Sequence, residues 1–143
     1  MIALQTETLA AIREHGREAY PDECCGALLG VETDGIARVA RVERIENARR
    51  EERRRRYRIE PLDYARVERL ADAGGLSVLG FYHSHPDHPA VPSEYDREHA
   101  LPFFHYVVMA VGAESSGEAA SYVLSEDRGV FEREELVTDV LQE

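Results

Sequence analysis

The sequence has no lysine and only two cysteines, and both shortages limit what the chain can be. All seventeen basic residues are arginine, a bias that we attribute to genome composition or adaptation to salt rather than to function. Cys24 and Cys25 are neighbours, and two adjacent thiols do not easily pair with each other. Without a third cysteine, the chain has neither a disulfide framework nor a cysteine-based zinc site.

The sequence also lacks long apolar runs. None approaches the length of a membrane-spanning helix, and the N-terminal stretch carries acids throughout, unlike a secretory signal. We therefore expect a cytoplasmic protein with no membrane partner. The formal net charge of −11 argues against non-specific binding to nucleic acid. A chain of 143 residues, 43% hydrophobic and 31% charged, is typical of one folded domain, here residues 1–143.

Positive charge is concentrated in one part of this acidic chain. Residues 38–58 contain ten arginines and four acids, whereas the remainder contains seven arginines and twenty-four acids. The segment Arg49–Arg58, called the basic segment below, falls largely in a charged stretch without apolar periodicity, and residues 47–56 are predicted to form an exposed loop. Two interpretations are open: the arginines speed the encounter with an acidic protein partner, or they form a solvated charged loop.

Hydrophobic periodicity and capping patterns predict three helices. Residues 6–20 form an amphipathic pattern with Thr6 as the N-cap. Residues 61–73 form a second helix, with Pro61 in its first turn, where proline is well tolerated. Ser93 is predicted to cap a short third helix that ends near residue 99.

Apolar runs and alternating patterns predict the strands. They are expected at residues 24–31, 36–46, 57–60, 76–85, 104–113, 118–125 and 129–133, with a polar tail after them. Strands and helices alternate through the middle of the chain, and the last strands follow one another as a meander. This order predicts the α/β class, with a mixed β-sheet and flanking helices.

The segment HSHPDHPAVPSEYD, residues 83–96, combines groups that bind metal ions. His83 and His85 project to the same face of a strand, because side chains two residues apart do so. If Ser93 caps a helix, Asp96 lies in its first turn and can turn back toward the histidines. Two imidazoles and one carboxylate suit one Zn²⁺ per chain. They leave a fourth position open for water, whose pKa the ion lowers to about 7, as in a catalytic zinc site.

Each half of this segment has a second interpretation. A His-x-His pair by itself is more often a surface or core pair than a metal site. Ser93-x-x-Asp96 by itself resembles a helix capping box. The metal interpretation is favoured because both halves occur together, joined by a proline-rich loop that follows an apolar strand.

A zinc hydrolase also needs a group that takes a proton from water and passes it to the leaving amine. Glu23 is a candidate because it opens an otherwise apolar segment directly after the first helix. The neighbouring Asp22 would serve equally well on spacing alone, and a solvated carboxylate at the helix end is a further interpretation. Cys24 and Cys25 fit small buried hydrophobic residues better than nucleophiles.

The complete pattern resembles that of the JAMM, or MPN-domain, zinc metalloproteases. The match consists of His-x-His-Pro, seven residues between the second histidine and a serine, and Ser-x-x-Asp, while PDECCGALLG is similar to the glutamate-containing segment of small prokaryotic members. The resemblance covers nearly the whole chain and implies the layered MPN fold, which is like that of cytidine deaminases. It makes His83, His85 and Asp96 the zinc ligands, Glu23 the base, and Ser93 the group that stabilises the oxyanion.

The resemblance also implies a substrate. JAMM enzymes cleave amide or isopeptide bonds after the C-terminal Gly-Gly of ubiquitin-like proteins, and small prokaryotic relatives act on sulfur-carrier proteins of that fold. The expected partner is therefore such a carrier, docked in part through the basic segment. A catalytically silent MPN-type scaffold and a RadC-like protein associated with DNA are the alternatives. Zinc deaminases are excluded because they need His-x-Glu followed by Pro-Cys-x-x-Cys.

Overall fold

The computed structural model describes residues 1–54, 56–112, 116–127 and 129–138. The elements in these residues are β1 Ile2–Leu4, α1 Thr6–Ala19, β2 Cys25–Thr33, β3 Ile36–Ile45, α2 Pro61–Ala73, β4 Ser77–Pro86, α3 Glu94–His99, β5 His105–Val111, β6 Ser116–Leu124, β7 Phe131–Glu134 and β8 Leu136–Thr138. The predicted α/β class, with a mixed sheet and flanking helices, is confirmed. Within the described ranges, no helix has the length and apolar character needed to cross a membrane.

All of these strands form one sheet in the order β7-β6-β5-β4-β2-β3-β1-β8. β4 pairs with β5 in parallel, and β1 pairs in parallel with both β3 and β8, while the other neighbours are antiparallel. β7 and β8 are the two edges, yet only Glu135 separates them in sequence. The sheet therefore curls until its edges approach each other, and the Ile2 N–H donates to the Glu135 carbonyl at 2.9 Å.

The two long helices cover opposite faces of the sheet. Leu9 and Ile12 of α1 belong to a buried cluster with Tyr82 of β4. Val67 of α2 belongs to a second cluster with Phe81, the residue before Tyr82. Because successive side chains of a strand point to opposite faces, α1 and α2 pack on different sides. Burial of each large apolar side chain contributes roughly 1.5–3 kcal/mol to stability.

β4 determines where the side chains of the site point. The register between β2 and β4 shifts next to Leu28, where a bulge leaves Leu79 of β4 without an opposite residue. Beyond the bulge, side chains alternate regularly, so His83 and His85 lie on the same face as Phe81. The strand therefore leads from the buried core under α2 to a pair of imidazoles at its end.

Several local expectations are wrong. Residues 57–60 are not a strand, because the Arg58 N–H donates to the Asn47 side chain and Tyr57 turns inward. Residues 136–138, expected in a polar tail, form β8, and β1 is not predicted, since three-residue strands carry too little periodicity. The N-cap of α1 is Gln5, not Thr6. Expectations for residues 55, 113–115, 128 and 139–143 lie outside the described residues.

Candidate metal centre

Two histidines and a glutamate meet across neighbouring strands. Cys25 of β2 lies opposite His83 of β4 in the antiparallel register. Continuing this register by two residues puts Glu23 opposite His85. Glu23, His83 and His85 are 3%, 1% and 6% exposed. The pairing of β2 with β4 thus brings Glu23, which is distant in sequence, to the two histidines.

Three potential ligand atoms converge at the end of β4. The Nε2 atoms of His83 and His85 are 3.2 Å apart, and Asp96 Oδ2 lies 3.0 Å from the first and 3.1 Å from the second. Zinc bonds to nitrogen and oxygen of about 2.0–2.1 Å at tetrahedral angles separate ligand atoms by about 3.3 Å. The observed spacing therefore fits one zinc ion, held by three buried residues.

The hydrogen bonds around His85 explain why a cation fits here. Its Nδ1–H donates to the Pro89 carbonyl at 3.0 Å. Its Nε2 therefore presents a lone pair to the carboxylate oxygen of Asp96 at 3.1 Å. Two acceptors at this distance repel each other unless a proton or a metal cation lies between them.

His83 is oriented in a different way. Its Nδ1 is buried and has no hydrogen-bond partner among the described residues, whereas metal-binding histidines almost always donate this second N–H to a carbonyl, a carboxylate or water. Tyr57 of the basic segment stacks on the His83 ring instead, with centroids 4.6 Å apart and 24° between the planes. Ring packing holds this imidazole in place.

Asp96 is held at the start of α3 by a capping box. Ser93 is the N-cap: its Oγ accepts the Asp96 N–H at 3.1 Å, and its own N–H donates to Asp96 Oδ2 at 2.9 Å. The capping interpretation of this pair is confirmed, and the same Asp96 oxygen still faces the two histidines. Burial acts to raise the pKa of Asp96, but His83 and the Ser93 N–H outweigh it and hold that pKa well below its usual range.

Glu23, His85 and Ser93 line one cavity of about 420 Å³. Glu23 Oε1 is buried and has no hydrogen-bond partner in the part of the chain that the structure describes. Burial, and then the charge of Asp96, raises the pKa of Glu23 to about 9. The group is therefore protonated at neutral pH unless a nearby cation favours the carboxylate. The Ser93 hydroxyl accepts the Asp96 N–H and can donate its own proton to a ligand.

The basic segment borders the site. Its described residues form no helix or strand, as expected for a loop, and residues 50–54 are exposed. Arg49 and Arg56, near the two ends of the segment, pack on an aromatic ring instead. Their guanidinium carbons lie 5.5 and 4.6 Å from the centroid of the Tyr95 ring. The Arg53 carbonyl accepts the Glu23 N–H at 2.6 Å. The segment therefore contacts both α3 and the backbone of Glu23.

Sequence reasoning does not single out three residues that contact the site, namely Asn47, Tyr57 and Tyr95. The Asn47 side-chain amide donates to the Glu23 carbonyl at 3.2 Å. Tyr57 carries the one sequence signal, because it is an aromatic residue within a run of charge. The contacts of Asn47 and Tyr95 are with residues distant in sequence, so no local pattern reveals them.

The fold and the site together define a protein of the JAB/MPN class. The chain belongs to the family described as prokaryotic homologs of the JAB domain, whose model matches residues 5–125. The resemblance to the JAMM and MPN-domain proteins, identified from the motif, is thereby confirmed at the level of the family.

Individual relatives agree with this assignment. Over 112 residues the chain is 31% identical to a Haloferax volcanii protein named desampylase, covering 75% of this chain and 78% of the relative. A solution structure from Salinibacter ruber is 42% identical with a TM-score of 0.76, covering 98% and 93% of the two chains. One from Desulfitobacterium hafniense is 25% identical with a TM-score of 0.85, covering 96% and 92%. A JAB1/MPN domain protein from Archaeoglobus fulgidus, 20% identical with a TM-score of 0.57 over 96% and 98%, shares the fold.

Proposed function

We propose that residues 1–143 form a single zinc peptidase or isopeptidase domain. It hydrolyses the amide or isopeptide bond after the C-terminal Gly-Gly of a ubiquitin-like or sulfur-carrier protein. The observation that carries the proposal is the convergence of His83, His85 and Asp96 beside the cavity that Glu23 and Ser93 line. The relative named desampylase supports a ubiquitin-like substrate, because that name implies a partner of this kind.

The residues of the site divide the chemistry among them. His83, His85 and Asp96 would hold zinc, which when bound acts as a Lewis acid that acidifies water and polarises the substrate carbonyl. Glu23 takes a proton from the attacking water at its carboxylate. The water oxygen bonds to the carbonyl carbon, the carbon–nitrogen bond breaks, and Glu23 gives the proton to the leaving amine nitrogen. The Ser93 hydroxyl donates to the substrate oxyanion.

The proposal is tested by hydrolysis of a ubiquitin-like carrier that is extended beyond its Gly-Gly, with the products identified by mass spectrometry. Zinc-loaded protein should release the extension, and a chelator should prevent this. Glu23→Gln preserves the side-chain volume but cannot accept the proton. We expect this variant to retain one zinc ion per chain and to cleave at least about 100-fold more slowly.

The same measurements separate a hydrolase from a silent scaffold. A scaffold would purify without stoichiometric zinc, and Glu23→Gln would bind the carrier as the unmodified protein does. If zinc-loaded protein cleaves no extended or isopeptide-linked carrier, the proposed function is wrong.

The basic segment is proposed to dock an acidic carrier near the site. Support comes from its exposed arginines and from its contacts with α3 and Glu23. Charge complementarity of this kind mainly accelerates association, and the effect weakens in salt. Replacing Arg53 and Arg54 with serine should lower kcat/KM for a protein substrate several-fold at low ionic strength. A short Gly-Gly peptide should be unaffected, and equal losses for both substrates would exclude docking by these residues.

A further inference from the structure

A second cavity, of about 450 Å³, lies next to the metal centre and has no part in the hydrolysis described above. Asp96 is in its wall, and Tyr95 lines both this cavity and the one that Glu23 and Ser93 line. The two cavities therefore meet at α3, the helix that presents the Asp96 carboxylate. We call this second space the aromatic cavity.

Aromatic rings form most of the interior of the aromatic cavity. Phe81 and Tyr106, which are 1% and 4% exposed, form its buried floor. Tyr57 and Tyr64 are half-buried walls, and Arg58 at the rim is exposed. The cavity has an exposed guanidinium at its rim and buried aromatic rings at its floor. It therefore suits a ligand with an apolar body and one polar end. The volume is that of a small-molecule site and not of a docking surface for a folded protein.

The charged residues around the cavity determine which charge the polar end of the ligand should carry. Arg58 pairs with Glu60 only at 3.9 Å, and Arg49, also in the lining, pairs with Glu52 at 3.4 Å. Arg49 also donates to the Glu51 carbonyl at 3.1 Å and to the Tyr95 hydroxyl at 3.3 Å. Arg58 is therefore the guanidinium whose one long contact a ligand carboxylate can replace. Guanidinium groups bind carboxylates through paired, charge-assisted hydrogen bonds and repel an ammonium group. The acid present in the described lining, Asp96, is already occupied with the two histidines.

We propose that the aromatic cavity binds the residue on the leaving side of the scissile bond, and that this residue is a single C-terminal amino acid with an aromatic or large aliphatic side chain. The side chain packs against the tyrosines, and the α-carboxylate pairs with Arg58. The inference rests on the proposed function and narrows it. A carrier that ends in Gly-Gly plus one apolar residue is a better substrate than a carrier joined to a lysine side chain, which brings no carboxylate to this position.

Binding of a small probe tests the cavity without any need for catalysis. N-acetyl-L-phenylalanine contains the leaving residue together with the amide that would be cleaved, and its affinity for the zinc-loaded protein can be measured by NMR titration. We expect saturable binding that is about tenfold weaker for the corresponding amide, which lacks the carboxylate, and also weaker for N-acetylglycine. Equal affinity for the acid and its amide would overturn the proposal.

Matched arginine variants locate the probe. Arg58→Gln removes an exposed charge at the rim and should weaken acid binding about tenfold while leaving amide binding unchanged. Arg69→Gln removes the same charge from an exposed residue of α2, the helix that carries Tyr64, and this residue does not line the cavity. It should bind as the unmodified protein does. Equal losses in the two variants would show general electrostatic attraction and contradict the assigned site.

Hydrolysis then tests the preference itself. Carriers that end in Gly-Gly-Phe, Gly-Gly-Phe-amide and Gly-Gly joined to a lysine side chain are compared at equal concentration. We expect the free acid to be cleaved about tenfold faster than the other two, and this ratio to disappear in Arg58→Gln. Cleavage of all three at one rate would refute the cavity assignment and leave the proposed function intact. Cleavage of none, with probe binding as expected, would refute the proposed function and with it the leaving-side role, and would leave the cavity as a binding site for an apolar acid.

Discussion

His83 and His85 are neighbours on one strand, yet different interactions orient their rings. The Nδ1–H of His85 donates to the Pro89 carbonyl, whereas the ring of His83 packs against Tyr57. An imidazole that is fixed by a hydrogen bond has a defined tautomer, while one that is fixed by stacking has only a defined plane. The His83 ring therefore depends on a residue of the basic segment, 26 positions away in the chain.

Removing the Tyr57 ring should weaken zinc binding. Groups that orient a metal-binding histidine typically contribute 10- to 100-fold to metal affinity. We therefore expect Tyr57→Ala to bind zinc at least about tenfold more weakly in competition with a chromogenic chelator, without substrate. Tyr57→Phe keeps the stacked ring and should stay within about twofold of the unmodified protein.

Tyr64→Ala is the matched control for this experiment. Tyr64 also lines the aromatic cavity, but its ring contacts Phe81, with centroids 5.0 Å apart, rather than His83. It should lose stability as Tyr57→Ala does and keep its zinc affinity. An unchanged affinity in Tyr57→Ala would show that stacking does not position His83.

The choice between Glu23 and Asp22 shows what spacing alone cannot decide. Both carboxylates follow the first helix, and the local pattern treats them alike. The register of β2 with β4 distinguishes them, because it puts Glu23 opposite His85 and buries it. The pair His83 and His85 and the pair Ser93 and Asp96 are readable from strand and helix periodicity, since each lies within one local element.

Among the elements, the basic segment differs most from what its sequence suggests. A run of charge predicts solvation, but the Asn47 amide fixes both ends of this loop. It accepts the N–H groups of Arg49 and Arg58, both at 3.0 Å, and donates to the carbonyls of Arg56 and Glu23 at 3.0 and 3.2 Å. No local periodicity encodes such a set of contacts, because one partner is 24 residues away.

Asn47→Ala should open the basic segment. The variant loses all four hydrogen bonds, and because a net hydrogen bond contributes about 1 kcal/mol, open conformations should become at least about tenfold more populated. Trypsin cleaves after arginine, so cleavage between residues 49 and 58 should accelerate by a similar factor, measured by mass spectrometry. Asn47→Asp keeps the acceptor and should fall between the two proteins.

Cleavage elsewhere serves as the internal control. Arg13 and Arg17 lie in α1, outside the segment, and should be cut at one rate in all three proteins. If cleavage within the segment is as slow in Asn47→Ala as in the unmodified protein, then the asparagine does not hold the loop.

The two shortest strands, β1 and β8, could not be found from the sequence because they form only by pairing with other strands of the sheet. Each has three residues, too few for alternation to be recognised, and β1 lies between β3 and β8 in parallel pairing. The longer central strands were predictable because burial on both faces leaves a continuous apolar run. Short strands such as these depend instead on how the whole sheet closes.

At the scale of the whole molecule, Glu134 lies where the sheet curls upon itself. It is the last residue of β7, one residue before the chain crosses to β8 at the opposite edge. Its Oε2 accepts the Ser121 hydroxyl at 2.7 Å and lies 2.6 Å from His105 Nδ1. These contacts join the end of β7, where the chain crosses to β8, to His105 of β5 and Ser121 of β6.

The same contacts make stability depend on pH. Burial acts to raise the pKa of Glu134, but hydrogen bonds from His105 and Ser121 outweigh it and lower that pKa below its ordinary value. A carboxyl group whose pKa is lower in the folded than in the unfolded state stabilises the fold when it is ionised. This contribution is complete at pH values above the unfolded-state pKa, near 4.3, and is lost as the pH falls through the lower folded-state pKa.

Glu134→Gln should therefore destabilise the protein at neutral pH and not in acid. Hydrogen bonds to a charged group contribute about 1.5–3 kcal/mol, so we expect a loss of this size in the free energy of unfolding at pH 7, measured by urea denaturation. The difference between the two proteins should shrink as the pH falls below about 4.3. Glu132→Gln, at an exposed position of the same strand, should change stability by less than about 0.5 kcal/mol throughout. A gap that stays constant between neutral and acidic pH would show that the ionised Glu134 carboxylate does not hold the closure of the sheet.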